Sequence, residues 1–242
     1  MSPNTRWSCV IWDVDGTIVD ASEGILRRLT TTLTHFGRPA PTRAELVHWI
    51  GPPMHDSFQS NAGMSAEGAR EAVTYYRSIG RADGYATGAR LFPGIGDLIA
   101  DVAAAGIPQG VASSKPETQV RVLLDHFGIA EHFASVTGAS DDERTLARKP
   151  EILAEELRRL RAVGVDTSRP VLVGDRHHDV EGGAEHGVPV VFVRWGFSWP
   201  HESEGAAAVA DDVAALRAIL LGTPDPTPHP TPDPPRATPG PQ

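Results

Sequence analysis

Short runs of β-branched and aliphatic residues alternate with segments of helical periodicity along most of the chain. Cys9-Val-Ile-Trp12, Gly-Val-Ala-Ser at 110–113, Pro-Val-Leu-Val at 170–173 and Pro-Val-Val-Phe-Val at 189–193 are short and almost wholly apolar. Such runs suit strands covered on both faces, as in a parallel sheet. Between them, residues 94–105, 117–127, 150–162 and 180–186 carry Leu, Val or Ala at helical spacing. The alternation predicts an α/β fold, a doubly wound (Rossmann-like) parallel sheet with helices on its faces.

One stretch breaks this rhythm. Residues 22–87 contain helical patterns at 24–36, 43–49 and 66–79, separated by Gly and Pro, and no strand-like run. They predict a small inserted α-helical cap, with the core built from 1–21 and 88–221. A cap placed there would sit over the carboxyl ends of the strands, where open α/β sheets bind ligands. Residues 222–242 have proline at nearly every second position and no aliphatic side chain larger than alanine. That segment has nothing to bury and is expected to be a disordered, partly polyproline-II tail.

Composition narrows the partners. The 242 residues carry 22 Lys plus Arg against 31 Asp plus Glu, a formal charge of -9, which argues against nucleic acid or an anionic membrane as a partner. No apolar stretch approaches the ~18 residues of a membrane span. Cys9 is the single cysteine, so intramolecular disulfides and cysteine-based zinc sites are excluded, and a reducing, cytoplasmic setting is expected. No feature of the sequence sets the oligomeric state.

The chemistry gathers at predicted strand ends. Asp13-Val14-Asp15-Gly16-Thr17 follows the first strand, and spacing of two puts both carboxylates on one face. Two acids so close need a cation or a shared proton. Gly174-Asp175-Arg-His-His-Asp179 follows the third predicted strand, and four-residue spacing stacks the second acid near the first if a helix follows. Carboxylates meeting at one sheet edge make a hard oxygen site suited to Mg²⁺. Ser113 and Ser114 lie at the end of the second strand, where a hydroxyl and N–H groups opening a helix would cradle an anion. Lys149 precedes Pro150, a favoured helix-start residue, and brings a cation.

In order, Asp-x-Asp-Gly-Thr, Ser, Lys and Gly-Asp-x-x-x-Asp resemble the four motifs of the haloacid dehalogenase-like hydrolases, over roughly residues 7–221. The resemblance implies a phosphatase for small phosphate monoesters, with Asp13 as nucleophile forming an aspartyl-phosphate. It implies Asp15 as general acid and base, and Ser113 and Lys149 as holders of the phosphoryl oxygens. Mg²⁺ would be bound by Asp13, the main-chain carbonyl of Asp15, Asp175 and Asp179. The insert resembles the helical C1 cap of the phosphoglycolate phosphatase-like branch, and Ile50-Gly-Pro-Pro resembles a loop that faces the site there. Ser113-Ser-Lys-Pro stands where those relatives commonly have Thr-Asn-Lys-Pro, a departure that bears on substrate choice.

Ser114 and, in the cap, His55, Arg77 and Arg81 are further candidate substrate contacts. A phosphomutase on the same scaffold, or a phospho-acceptor signalling module, is the alternative reading. Carbon–halogen displacement fits less well, because Asp15 and Asp175 serve phosphate chemistry. His177 and His178 invite a zinc or iron reading, but adjacent side chains are expected to point apart. The run Arg158-Arg-Leu-Arg161 beside Glu155 and Glu156 reads as ion pairing along a helix. The aromatic segment 195–199 reads as structural.

Overall fold

The computed structural model describes residues 6–141, 146–199 and 201–222. In chain order the elements are β1 (Cys9–Trp12), β2 (Val19–Asp20), α1 (Ser22–His35), α2 (Met54–Ala62), α3 (Ala66–Asp83), β3 (Arg90–Leu91) and α4 (Ile95–Ala104). There follow β4 (Gln109–Pro116), α5 (Glu117–His126), β5 (Ser135–Ala139), α6 (Lys149–Ala162), β6 (Pro170–Gly174), α7 (His177–Glu185), β7 (Val190–Val193), β8 (Ala208–Ala210) and α8 (Val213–Leu221).

Six strands form one parallel sheet in the order β5-β4-β1-β6-β7-β8. Alternation within each strand explains the layers. Val10 and Trp12 of β1 face one core with Val171, Val173, Val191 and Val193. Cys9 and Ile11 face the other with Leu172 and Phe192. The first core is covered by α1, α3, α4, α5 and α8, through residues such as Leu29, Ile99, Leu123 and Leu216. The second is covered by α6 and α7, through Ile152, Leu153, Leu160 and Val180. Each fully buried aliphatic side chain contributes about 1.5–3 kcal/mol, so both faces drive closure of the sheet.

After β5 the chain returns past β4 and β1 to begin β6. The strand order reverses there, leaving a crevice beyond the carboxyl ends of β1, β4 and β6, where ligands bind in open α/β sheets. The short antiparallel pair β2 and β3 brackets the inserted helices, with α1 packed on α3 and α2 on α3.

Several local expectations differ from the structure. Residues 43–49 form only a 3-10 turn, Glu45–His48. Held between Pro41 and Gly51-Pro52-Pro53, the segment is too short to repay helix nucleation. The structure adds β2, α2, β3, β5, β8 and α8, all short or weakly periodic. β4 continues through Ser113, Ser114 and Lys115 to Pro116, because a residue before proline favours extended backbone. The two serines therefore end a strand rather than open a helix. α7 starts at His177, not 180, because Asp179 accepts from the Arg176 N–H at 3.0 Å and caps the helix earlier. Of the proline-rich segment expected over 222–242, all but Gly222 lies outside the described residues.

Candidate active site

Three elements deliver the polar groups to one place. Asp13 follows β1, its N–H donating to the Val173 carbonyl at 2.9 Å. Asp15 and Gly16 then turn the chain, with the Gly16 N–H donating to the Val19 carbonyl at 2.9 Å. Gly16 has φ +88°, and a Cβ there would collide with the Asp175 carboxylate, so only glycine lets the turn pass so close. Asp175 is fully buried at the end of β6. Its carboxylate accepts from Thr17 Oγ1 at 3.2 Å and from the Phe197 N–H at 2.7 Å.

Lys149, the first residue of α6, is buried among these acids. Its Nζ lies 2.7 Å from Asp13 Oδ1 and 2.6 Å from Asp179 Oδ1, and donates to the Ala112 carbonyl at 2.6 Å. Burial alone would push its pKa down, but the carboxylates of Asp13 and Asp179 outweigh that and hold it above the ordinary value. Burial raises the Asp13 carboxyl despite Lys149, and the charge of Asp179 adds to the rise. Burial, then Asp13 and Asp179, push Asp175 well above the usual carboxylate range.

Asp13, Asp175 and Asp179 present oxygens within 4.8 Å of one another, all buried. Burial and mutual repulsion resist ionisation of these carboxyls around the one ammonium, and a hard divalent cation would relieve both, so the donor set fits such an ion.

Asp13, Asp15, Ser113, Ser114, Lys149 and Asp179 all line a single cavity of about 70 Å³, and Arg77 reaches it from α3. The loop Ile50-Gly-Pro-Pro-Met54, together with Ile25 and Tyr76, forms its inserted-helix wall. His55 is not among the lining residues. Its ring contacts Asp56, Gln59 and the Ala66 carbonyl at 3.1–3.3 Å, because α2 turns it along the helix rather than toward the strands. Arg81 is likewise not among the lining residues.

Two side chains with no role assigned from sequence belong here. Lys115 Nζ lies 2.7 Å from Asp15 Oδ2. The β4–β5 register shifts between Ser113 and Pro116, a bulge that re-aims Lys115 into the cavity. Ser113 Oγ accepts from the Lys115 N–H at 3.3 Å and fixes the bend. Arg176 lines the cavity from the other side, bonded to Glu202 at 2.8 Å and to the Ile50 carbonyl. Lys115 lay in the Ser-Ser-Lys-Pro motif, but only the bulge shows where it goes. Arg176 is a cation between two recognised acids, and Glu202 is too distant in sequence to announce the pair.

The adjacent histidines also depart from expectation. The rings of His177 and His178 lie 3.8 Å apart, centroid to centroid. The arginine run follows expectation in part: Arg158 and Arg159 are both bonded to Glu155 at 2.7 Å, whereas Arg161 donates to Thr167 Oγ1 and Glu156 turns inward to Thr137 and Ser135.

Residues 10–193 match the family model described as haloacid dehalogenase-like hydrolase. The chain is 42% identical over 196 residues to the protein named tyrosine-protein kinase PtkA of Mycobacterium tuberculosis, covering 81% of this chain and 65% of that one. It is 33% identical over 217 residues to a 5'-nucleotidase of Pseudomonas aeruginosa, covering 89% and 96%. A crystal structure of a predicted phosphatase from Clostridium acetobutylicum superposes with a TM-score of 0.81 at 27% identity, covering 89% and 98%. The chain belongs to the haloacid dehalogenase-like hydrolases. It spans about two thirds, 65%, of the length of its kinase-named relative. Among the described residues no helix is long and apolar enough to cross a membrane.

Proposed function

We propose that this protein is a Mg²⁺-dependent phosphatase acting on small phosphate monoesters through an aspartyl-phosphate on Asp13. The observation that carries this reading is the position of Lys149, 2.7 Å from Asp13 Oδ1 in a cavity that also holds Asp15 and Ser113. Phosphate-monoester hydrolysis is limited by charge repulsion and positioning, and this cavity supplies cations and hydroxyls around a single carboxylate.

Asp13 attacks phosphorus as the bond to the ester oxygen breaks, and Asp15 delivers a proton to that departing oxygen. Water then attacks the aspartyl-phosphate with Asp15 taking its proton, so that phosphate leaves and Asp13 is restored. Ser113, Ser114 and Lys149 hold the phosphoryl oxygens. Arg77 and the Ile50–Met54 loop contact the part of the substrate beyond the phosphate. Asp13, Asp175, Asp179 and the Asp15 carbonyl would hold Mg²⁺, which when bound neutralises phosphoryl charge. Lys115 positions Asp15 through their 2.7 Å contact.

The test is phosphate release from an aryl phosphate and a panel of metabolite monoesters, with Mg²⁺ and with chelator, for wild type and Asp13→Asn. Metal-dependent release that disappears in the variant supports the reading. Retention of more than a few per cent of the rate by Asp13→Asn sinks the nucleophile assignment.

A second reading is phosphoryl transfer involving protein tyrosine, favoured by the 42% identity to the kinase-named relative. Asp13 would then take the γ-phosphoryl group of ATP as ADP leaves and pass it to a tyrosine oxygen, which gives up its proton to Asp15. Incubation with γ-labelled ATP and a tyrosine-containing peptide separates the two, because label on the peptide supports transfer and label in free phosphate alone supports hydrolysis.

A further inference from the structure

His177 and His178 open α7, and Glu181 follows one helical turn later. One nitrogen from each ring and one oxygen of Glu181 lie within 4.8 Å of one another. His178 Nδ1 is 3.8 Å from Glu181 Oε2, too long for a hydrogen bond and close enough for both to reach one ion. Four-residue spacing on a helix places His177 and Glu181 on one face. The rings meet because the helix begins at His177, where the chain enters from extended backbone at Arg176.

A second observation points to a ligand. His177 Nδ1 stands 3.2 Å from Glu202 Oε2, and Glu202 is buried. The His177 N–H donates to the same oxygen at 3.0 Å, and Arg176 Nε holds it at 2.8 Å. A carboxylate beside Nδ1 leaves Nε2 as the nitrogen that can face an ion, the arrangement in which metal-binding histidines have a carboxylate behind them. The cleft beside these residues is also lined by His48, His201 and Glu204.

We propose that His177, His178 and Glu181 form a binding site for a transition-metal dication of the Zn²⁺, Co²⁺ or Ni²⁺ class, separate from the all-carboxylate cluster. Two imidazoles and one carboxylate suit such ions, whereas Mg²⁺ prefers oxygen donors and keeps its waters. Donors about 2.1 Å from a metal stand about 3–4 Å from each other, so small rotamer adjustments close the site. Water, or His48 or His201 from across the cleft, completes the coordination. Because Glu202 contacts both His177 and Arg176, the ion is linked through His177 and Glu202 to the arginine that holds the Ile50 loop.

The test measures metal uptake rather than turnover, so it stands or falls independently of the phosphatase reading. The full-length protein, held in excess Mg²⁺, is titrated with Zn²⁺ by calorimetry and with Co²⁺ by its visible absorption. One equivalent is expected at micromolar affinity, weakened at least about 10-fold in Glu181→Gln and further in His177→Ala. Glu181 is 71% exposed at its side chain, so its substitution leaves folding intact, which circular dichroism checks. Absence of uptake in excess Mg²⁺ overturns the proposal. Uptake unchanged in both variants, or abolished by Asp175→Asn instead, also overturns it by placing the ion elsewhere.

Discussion

Arg176 joins the inserted helices to the core by donating to the Ile50 main-chain carbonyl while gripping the Glu202 carboxylate at 2.8 and 3.2 Å. The guanidinium is buried, and Gly51, at φ +114°, passes directly against it. Because Ile50 and Gly51 also line the candidate active-site cavity, the position of that wall depends on a side chain rooted beside Asp175. Only a planar fork serves both partners at once, so lysine is not an equivalent replacement.

Arg176→Lys is therefore expected to loosen the loop while keeping the charge. The outcome sought is a KM raised about 10-fold with kcat changed less than about 3-fold, the pattern of lost ground-state and transition-state binding alike. Steady-state kinetics on the best substrate decides it. A fall in kcat with KM unchanged would assign Arg176 to the chemical step instead.

Lys149→Met replaces the ammonium between Asp13 and Asp179 by an apolar chain of similar length. Loss of a preorganised charge contact typically costs about 10²–10³ in kcat, and a decrease of at least that size is expected. Removing one partner of a buried ion pair also costs about 3–5 kcal/mol, so the melting temperature should fall in chelator. Excess Mg²⁺ should restore part of it if the three carboxylates bind the ion. Equal melting temperatures with and without Mg²⁺ would argue that they do not.

Much of the fold was legible in the sequence, for reasons visible in single strands. Cys9–Trp12 is apolar on both faces because both faces are covered, and that uniformity marks a parallel sheet. Asp13, Asp15, Ser113, Lys149 and Asp179 were readable because a strand end and a helix start fix where each side chain goes. The loop 50–54 was recognised, but its partner Arg176 was not, since the bond joins residues 126 apart. His55 looked equivalent to Arg77 as a contact because nothing in α2 or α3 sets which helical face meets the cavity before packing does. β8 is a three-residue edge strand, too short for any periodicity to register.

Gly196 tests how tightly the Asp175 carboxylate is enclosed. A Cβ at this position would collide with that carboxylate, whereas one at Gly187 meets nothing within 4 Å and suffers only from φ +65°. Gly187→Ala is expected to cost about 1–2 kcal/mol from backbone strain. Gly196→Ala, which displaces a buried charged group, should cost more and weaken Mg²⁺ binding, as measured by chemical unfolding and metal titration. Comparable costs and unaltered Mg²⁺ affinity would show that the loop after β7 yields without moving Asp175.

Glu156 makes stability depend on pH far from the candidate active site. It is fully buried beneath β4 and β5, with Oε2 accepting from Thr137 at 2.6 Å and Ser135 at 2.9 Å. Burial pushes its carboxyl from the ordinary 4.5 up to about 7, although the two hydroxyls pull the other way. Between those values the folded chain keeps a proton that the unfolded chain releases, so unfolding is eased as pH rises through this window. The group costs nothing below about pH 4.5 and its full penalty above about pH 7, at most about 3 kcal/mol. Glu156→Gln keeps the neutral shape at every pH. Relative to wild type it should gain about 1–3 kcal/mol at pH 8 and close to nothing at pH 4, read from urea unfolding at the two values. A difference between variant and wild type that does not change with pH would show that Glu156 does not titrate in this range.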